Sequence, residues 1–154
     1  MAASACGGDR PAPATPTEAA AAEFALARFG EWDRQEFAKA WTHLHPAQQA
    51  IVPRDQFTWC YAERNGDPGI KNFGLSGEIT HTTVRIPGTR LDADATIVPI
   101  ELVSESGDGD ITDLRQVPVI RVKGRWTWIL PRGYPRDFRR IGCVGRGTPF
   151  GSEV

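Results

Sequence analysis

No apolar run in this 154-residue chain approaches the roughly 20 residues of a membrane-spanning helix. A basic excess is missing as well. With 18 Lys and Arg against 19 Asp and Glu, the formal net charge is −1, which removes the electrostatic footprint of a nucleic-acid-binding domain. Cysteine is scarce: only Cys6, Cys60 and Cys143 occur, and none stands in the paired spacing of a zinc site. The three histidines, His43, His45 and His81, form no closed ligand set in sequence. Neither a metal nor another cofactor is expected. What is present, 40% hydrophobic and 24% charged residues, is the composition of an ordinary folded domain able to hold one core without several disulfides.

Three parts follow from composition. Residues 1–16 are rich in small residues and proline, cannot bury a core, and read as a flexible leader. Residues 17–131 carry the periodic apolar patterns and form the domain. Residues 132–154 carry Arg132, Arg136, Arg139, Arg140 and Arg146 against Asp137 and Glu153, an Arg-rich tail that reads as solvated and could touch anionic lipid or wall polymer.

Within the domain, Thr17 is a good N-cap for a helix to about Phe29 or Gly30. Asp33 with Glu36 has the spacing of a capping box, opening a second helix that continues to Leu44. His45-Pro46 is the corner that stops it, because a residue before proline avoids helical dihedrals. Pro53 suits the first turn of a third helix over Arg54 to about Glu63, whose apolar stripe is Phe57, Cys60 and Tyr61. Turn signals dominate residues 64–69, and strand patterns follow: Gly77–Ile86, Leu91–Ser104, Thr112–Val122 and Arg125–Leu130. Pro99 predicts a bulge or a local edge, and Lys123-Gly124 a tight hairpin turn. The expectation is an α+β domain, three N-terminal helices packed on one face of a curved antiparallel sheet of about four strands.

The residues carry two resemblances. Phe37–Leu44, Leu44-His45-Pro46-Ala47, Phe57–Tyr61 and Gly124-Arg125-Trp126-Thr127-Trp128, in that order, resemble the nuclear transport factor 2-like (NTF2-like), cone-shaped fold, particularly the small domains of that kind found on bacterial lipoproteins. This resemblance covers about Thr17–Leu130 and implies a conical cavity used in different members for catalysis, small-molecule binding or protein contact. Ala3-Ser4-Ala5-Cys6, followed by Gly-Gly-Asp and a Pro/Ala/Thr linker, resembles the lipobox of bacterial lipoproteins. That implies lipidation of Cys6 and a membrane-anchored, extracytoplasmic protein, with the charged and apolar stretches of its export signal upstream of Met1. A cytoplasmic protein is the alternative. With export, Cys60 and Cys143 are expected to bridge, pinning the tail; the loop of roughly 80 residues would stabilise the fold by about 4 to 5 kcal/mol in the chain-entropy account. Two buried free thiols are the cytosolic alternative.

Function is therefore sought in the cavity. The expected lining is aromatic: Trp41, Trp59, Tyr61, Trp126 and Trp128, which equally suit plain core packing. Catalysis of isomerase or dehydratase type would need a base and a proton donor there, and the weak candidates are His43, His45 and Asp55, with Tyr61, His81 and Glu101 behind them. Asp55 has a ready structural role in the first turn of its helix. Glu101 alternates out of phase with Val98, Ile100 and Leu102. The acidic loop Glu105–Asp110 with Asp113 groups oxygen ligands around glycines but lacks the ligand spacing of a calcium loop. The first expectation is a non-catalytic, envelope-associated domain binding a small apolar ligand or a protein partner; the alternatives are a small cavity enzyme and a dimerising accessory domain.

Overall fold

A computed structural model describes residues 14–62 and 69–132. Helix α1, Pro16–Asp33, starts two residues earlier than the sequence predicts: Thr15 is the N-cap, its side chain accepts from the Glu18 amide, and the Glu18 carboxylate accepts from the Thr15 amide at 2.7 Å. This is a reciprocal capping box with proline at the first helical position. The helix runs through Gly30, where a stop was expected. Glu31 and Trp32 in the following turn are both buried, and that tertiary anchoring outweighs glycine's low propensity. The chain turns at Gln35, which has φ of 57°. Helix α2, Phe37–Thr42, has Glu36 as its N-cap with no side-chain capping bond, so the expected Asp33–Glu36 box does not form.

His45-Pro46 is a corner, and a short helix starts there. Helix α3, Pro46–Gln49, is capped by the His45 ring, whose Nδ1 accepts from the Ala47 amide at 3.1 Å. Helix α4 is Arg54–Ala62. The described residues thus hold four helices where three were expected.

The sheet also has one strand more than expected. It comprises β1 Ile70–Leu75, β2 Thr80–Arg85, β3 Asp92–Ser106, β4 Gly109–Val122 and β5 Arg125–Trp128, all pairs antiparallel. β4 lies along one side of β3; β1 and β2 share the other, β1 on the Ile100–Ser104 stretch and β2 on Asp92–Ile97. Pro99 falls in the gap between them, where neither β1 nor β2 pairs with it, the local interruption its missing N–H predicts. The expected acidic loop is shortened to a tight turn, Gly107-Asp108, between β3 and β4. Lys123 and Gly124, with φ of 49° and 81°, make the primed turn that joins β4 to β5.

Alternation along the strands separates two cores. Val98, Ile100, Leu102, Val117, Val119, Trp128 and Leu130 pack with the helices around Phe29, Trp32, Phe37, Leu44 and Phe57. On the other face of the strands, Val84, Ile86, Ala95, Ile97, Ile120 and Ile129 form a second, smaller cluster with no helix residue in it. The sheet curls strongly, and Gln48 of α3 shows how far. Its side-chain amide donates to Leu130 O at 3.2 Å and to Pro87 O at 3.0 Å, and its Oε1 accepts from Leu130 N at 2.7 Å. The chain just after β5 and the turn after β2, separated by two strands in the sheet order, are joined by one buried side chain. The edge of β5 is covered by the α2–α3 corner, where His45 N donates to Trp128 O and Trp128 N to His43 O.

Candidate functional site

Between helices and sheet, where the expected aromatic cavity would lie, side chains of the described residues pack into one apolar cluster. Trp128 is fully buried and donates its Nε1–H to Ala40 O at 2.9 Å. Tyr61 is 4% exposed and packs edge-on to Trp32, with ring centroids 4.3 Å apart, and to Phe57 at 4.7 Å. Trp41 is half-buried and donates to Val52 O, joining α2 to the chain before α4. Trp126 is half-buried with Arg121 over its ring. Trp59 stands apart at 58% exposure on the outer side of α4. The five aromatics therefore divide between core, core margin and surface.

The candidate acids and bases separate likewise. His45 spends its Nδ1 on the α3 cap. Asp55 and Glu101 are exposed. His43 approaches a buried carboxylate, Glu31, which the sequence reading did not single out. Its Nε2 lies 3.7 Å from Glu31 Oε1, and that same oxygen is 2.9 Å from Arg28 Nη2 and 3.4 Å from Lys39 Nζ. Glu31 is 1% exposed and Arg28 5%. Arg28 also stacks on Phe24, with its Cζ 4.5 Å from the ring centroid, and the His43 ring meets the same Phe24 edge-on. Burial, then the charges of Arg28, Lys39 and Arg125, push His43 down to about 4, so it is neutral at pH 7. Burial likewise lowers the affinity of the Arg28 guanidinium for its proton, opposed by Glu31. Glu31 Oε2 and Arg28 Nε and Nη1 are buried without a partner among the described residues, a set of donors and acceptor that an internal water would complete. The signal that could have revealed this cluster is an i,i+3 ion pair placed within the apolar stripe Ala21, Ala25, Phe29 and Trp32.

The sheet presents an open concavity elsewhere. His81, Thr82, Thr83, Asp94, Ala95 and Thr96 line a volume of about 290 Å³ between β2 and β3. His81 is paired with Thr96, Thr96 with Val119 and Val119 with Trp128, so this row runs from the open concavity into the core. Glu18 of α1 reaches over it: its Oε1 is 3.0 Å from His81 Nε2, while His81 Nδ1 is 3.3 Å from the Thr96 hydroxyl. The Thr15 amide, then His81 and the Thr15 hydroxyl, hold the Glu18 carboxyl down at about 2. Thr83 donates to Asp94 Oδ1 at 3.0 Å. A second, smaller concavity of about 120 Å³ follows β1 and is lined by Asn72, Phe73, Gly74, Leu75, Ser76, Glu101 and Val103.

Of the remaining candidates, Cys60 is buried at 1% exposure in the helix-side core and is not without a partner. Cys6, Cys143 and the tail from residue 133 lie outside the described residues. The acidic turn residues Asp110 and Asp113 pair with Lys71 and Arg115. Among the described residues no three acidic, histidine or cysteine side chains come together as a metal site, and no helix is long and apolar enough to cross a membrane.

Fold and site define an α+β domain with a curled antiparallel sheet, an apolar helix–sheet cluster and a polar concavity at the sheet surface. The chain matches no protein-family model, and no curated protein resembles it at a significant level.

Proposed function

We propose that this chain is a non-catalytic, NTF2-like domain of the bacterial cell envelope, tethered through a lipid on Cys6 and bridged between Cys60 and Cys143, that binds a partner at the concavity formed by β2 and β3. The observation that carries the binding part is the open, polar concavity itself: three threonines, His81 and Asp94 line it, whereas Trp128, Phe29 and Phe57 between helices and sheet are fully buried in an apolar cluster. Such a lining favours a polar partner, a protein surface in the first place, over an apolar small molecule. The burial of Cys60 in the helix-side core, where it is not without a partner, is compatible with the bridge. A second reading, a small cavity enzyme of isomerase or dehydratase type, draws on the approach of His43 to Glu31.

Intact mass of the protein from its native host, before and after reduction and alkylation, tests the tether and the bridge. A lipid-sized increment on Cys6, with Cys60 and Cys143 alkylated only after reduction, is expected. An unmodified N-terminus with three thiols alkylated at once would remove the envelope reading and bring the enzyme forward. Thr83→Arg fills the concavity at an exposed position and is expected to abolish partner binding, while His43→Ala leaves it intact; the reverse pattern points to the Glu31 cluster instead.

A further inference from the structure

The net charge of −1 conceals a strong polarity along the strands. Both hairpin turns at one end of the sheet, β2–β3 and β4–β5, are basic. Arg85, Arg90, Arg121, Lys123 and Arg125 are all exposed there, with Asp92 and Asp94 at the same end of the sheet and Glu18 of α1 beside it. Arg85 is paired with Asp92, and Arg121 lies over Trp126. Arg90, Lys123 and Arg125 have no ion-pair partner among the described residues. Toward the opposite end, around the β3–β4 turn, the balance inverts: Glu101, Glu105, Asp108, Asp110 and Asp113 face only Lys71 and Arg115.

The start of α1 lies on the basic half. Glu18, in its first turn, touches His81, four residues along β2 from Arg85. The described chain begins at Ala14, and the eight Cα steps from there back to Cys6 span at most about 30 Å when fully extended. A lipid on Cys6 therefore keeps the basic turns within reach of a bilayer, and the acidic turn is the end that an anionic surface repels.

We propose that the β2–β3 and β4–β5 turns form a docking face for an anionic phospholipid bilayer, with Lys123, Arg125 and Arg90 as its free cations, so that the tethered domain stands with its acidic β3–β4 turn away from the membrane. The orientation rests on the lipid-anchored reading above; the affinity of the face for anionic lipid does not, and is measured on the full chain without its lipid. The assay is co-sedimentation with vesicles of phosphatidylcholine containing about 30 mol% phosphatidylglycerol, at about 50 mM salt, where exposed charges are weakly screened.

Each cation brought to such a surface strengthens binding about fivefold, so Lys123→Asn with Arg125→Gln should weaken it about 25-fold. Asn suits the positive φ at position 123, which keeps the turn intact. Asp108→Asn with Asp110→Asn, at the other end, should leave binding as tight or slightly tighter. Pure phosphatidylcholine vesicles should bind nothing measurable. The proposal is overturned if the native chain ignores the anionic vesicles, or if the Lys123/Arg125 variant binds them as well as the native chain does, which would assign the affinity to residues beyond 132. Because the protein used carries no lipid, an unlipidated Cys6 in the native host would cancel the tether without touching this result.

Discussion

Replacing Gln48 by leucine tests whether the curl of the sheet depends on one side chain. Leucine fills a similar volume but offers neither donor nor acceptor, so three backbone groups lose their partner at once: Leu130 N, Leu130 O and Pro87 O. Gln48 is fully buried, and water does not replace it. Orphaning the Leu130 N–H costs about 1–3 kcal/mol, and the two carbonyls, each with a second lone pair, about 1 kcal/mol apiece, giving about 3–5 kcal/mol in all. For a domain stable by about 5–15 kcal/mol that is a large fraction.

Urea denaturation followed by tryptophan fluorescence reads it directly. With a slope of about 1–3 kcal/mol per molar, the midpoint should fall by roughly 2 M. Gln48→Glu adds a signed check. At neutral pH its carboxylate still accepts from Leu130 N but sets a charge against two carbonyl oxygens, so this variant should be the less stable of the two. Burial and those carbonyls raise its folded pKa above the unfolded value, so the stability it contributes is present below about pH 4 and lost as pH rises through the folded pKa. Acidification should therefore narrow the gap between the variants. A leucine variant within about 1 kcal/mol of the native protein, or a gap independent of pH, would refute the account of Gln48 as the tie between β5 and the β2–β3 turn.

Two further outcomes test the buried cluster on α1 and α2. His43, lowered to about 4 by burial and by Arg28, Lys39 and Arg125, should show ring-proton NMR shifts that titrate near that value; because the unfolded chain takes up its proton near 6.5 and the folded chain does not, its contribution is whole above about pH 6.5 and is lost as pH falls toward 4. A midpoint near 6.5 contradicts the burial argument. Glu31→Gln leaves the Arg28 guanidinium buried without its counter-charge and should cost about 3–5 kcal/mol, whereas Arg28→Met with Glu31→Leu should recover most of that in a thermal or urea melt, since well-packed apolar residues often replace a buried ion pair at little cost.

Where local chemistry decides the structure, the sequence was informative. The His45-Pro46 corner, the start of α4 after Pro53 and the Lys123-Gly124 turn all stand where proline, glycine and the pre-proline restriction put them. The departures occur where distant contacts outweigh local preference. Gly30 does not end α1 because Phe29 and Trp32 on either side are drawn into the core. β1 was missed because Asn72 and Gly74 weaken its pattern; it forms by pairing along the free part of β3, against Ile100–Ser104. The Glu31 cluster was invisible for a similar reason. His43 was visible as a candidate, but its carboxylate lies one helix earlier, and only the packing of α2 on α1 brings the two together. For the aromatic residues, alternation and helical periodicity do not tell a side chain that fills a space from one that borders it, and Trp128, Tyr61 and Trp59 end in different surroundings.

The separation of charge along the strands has a practical consequence at the bench. A molecule with a net charge of −1 spread evenly would be held weakly by any ion-exchange resin. Here a cation exchanger can meet the Lys123–Arg125 turn while an anion exchanger meets the Asp108–Asp110 turn, so one protein should be retained by both matrices at the same pH and released from both by modest salt, as screening shrinks each end's reach to about 10 Å at 0.1 M.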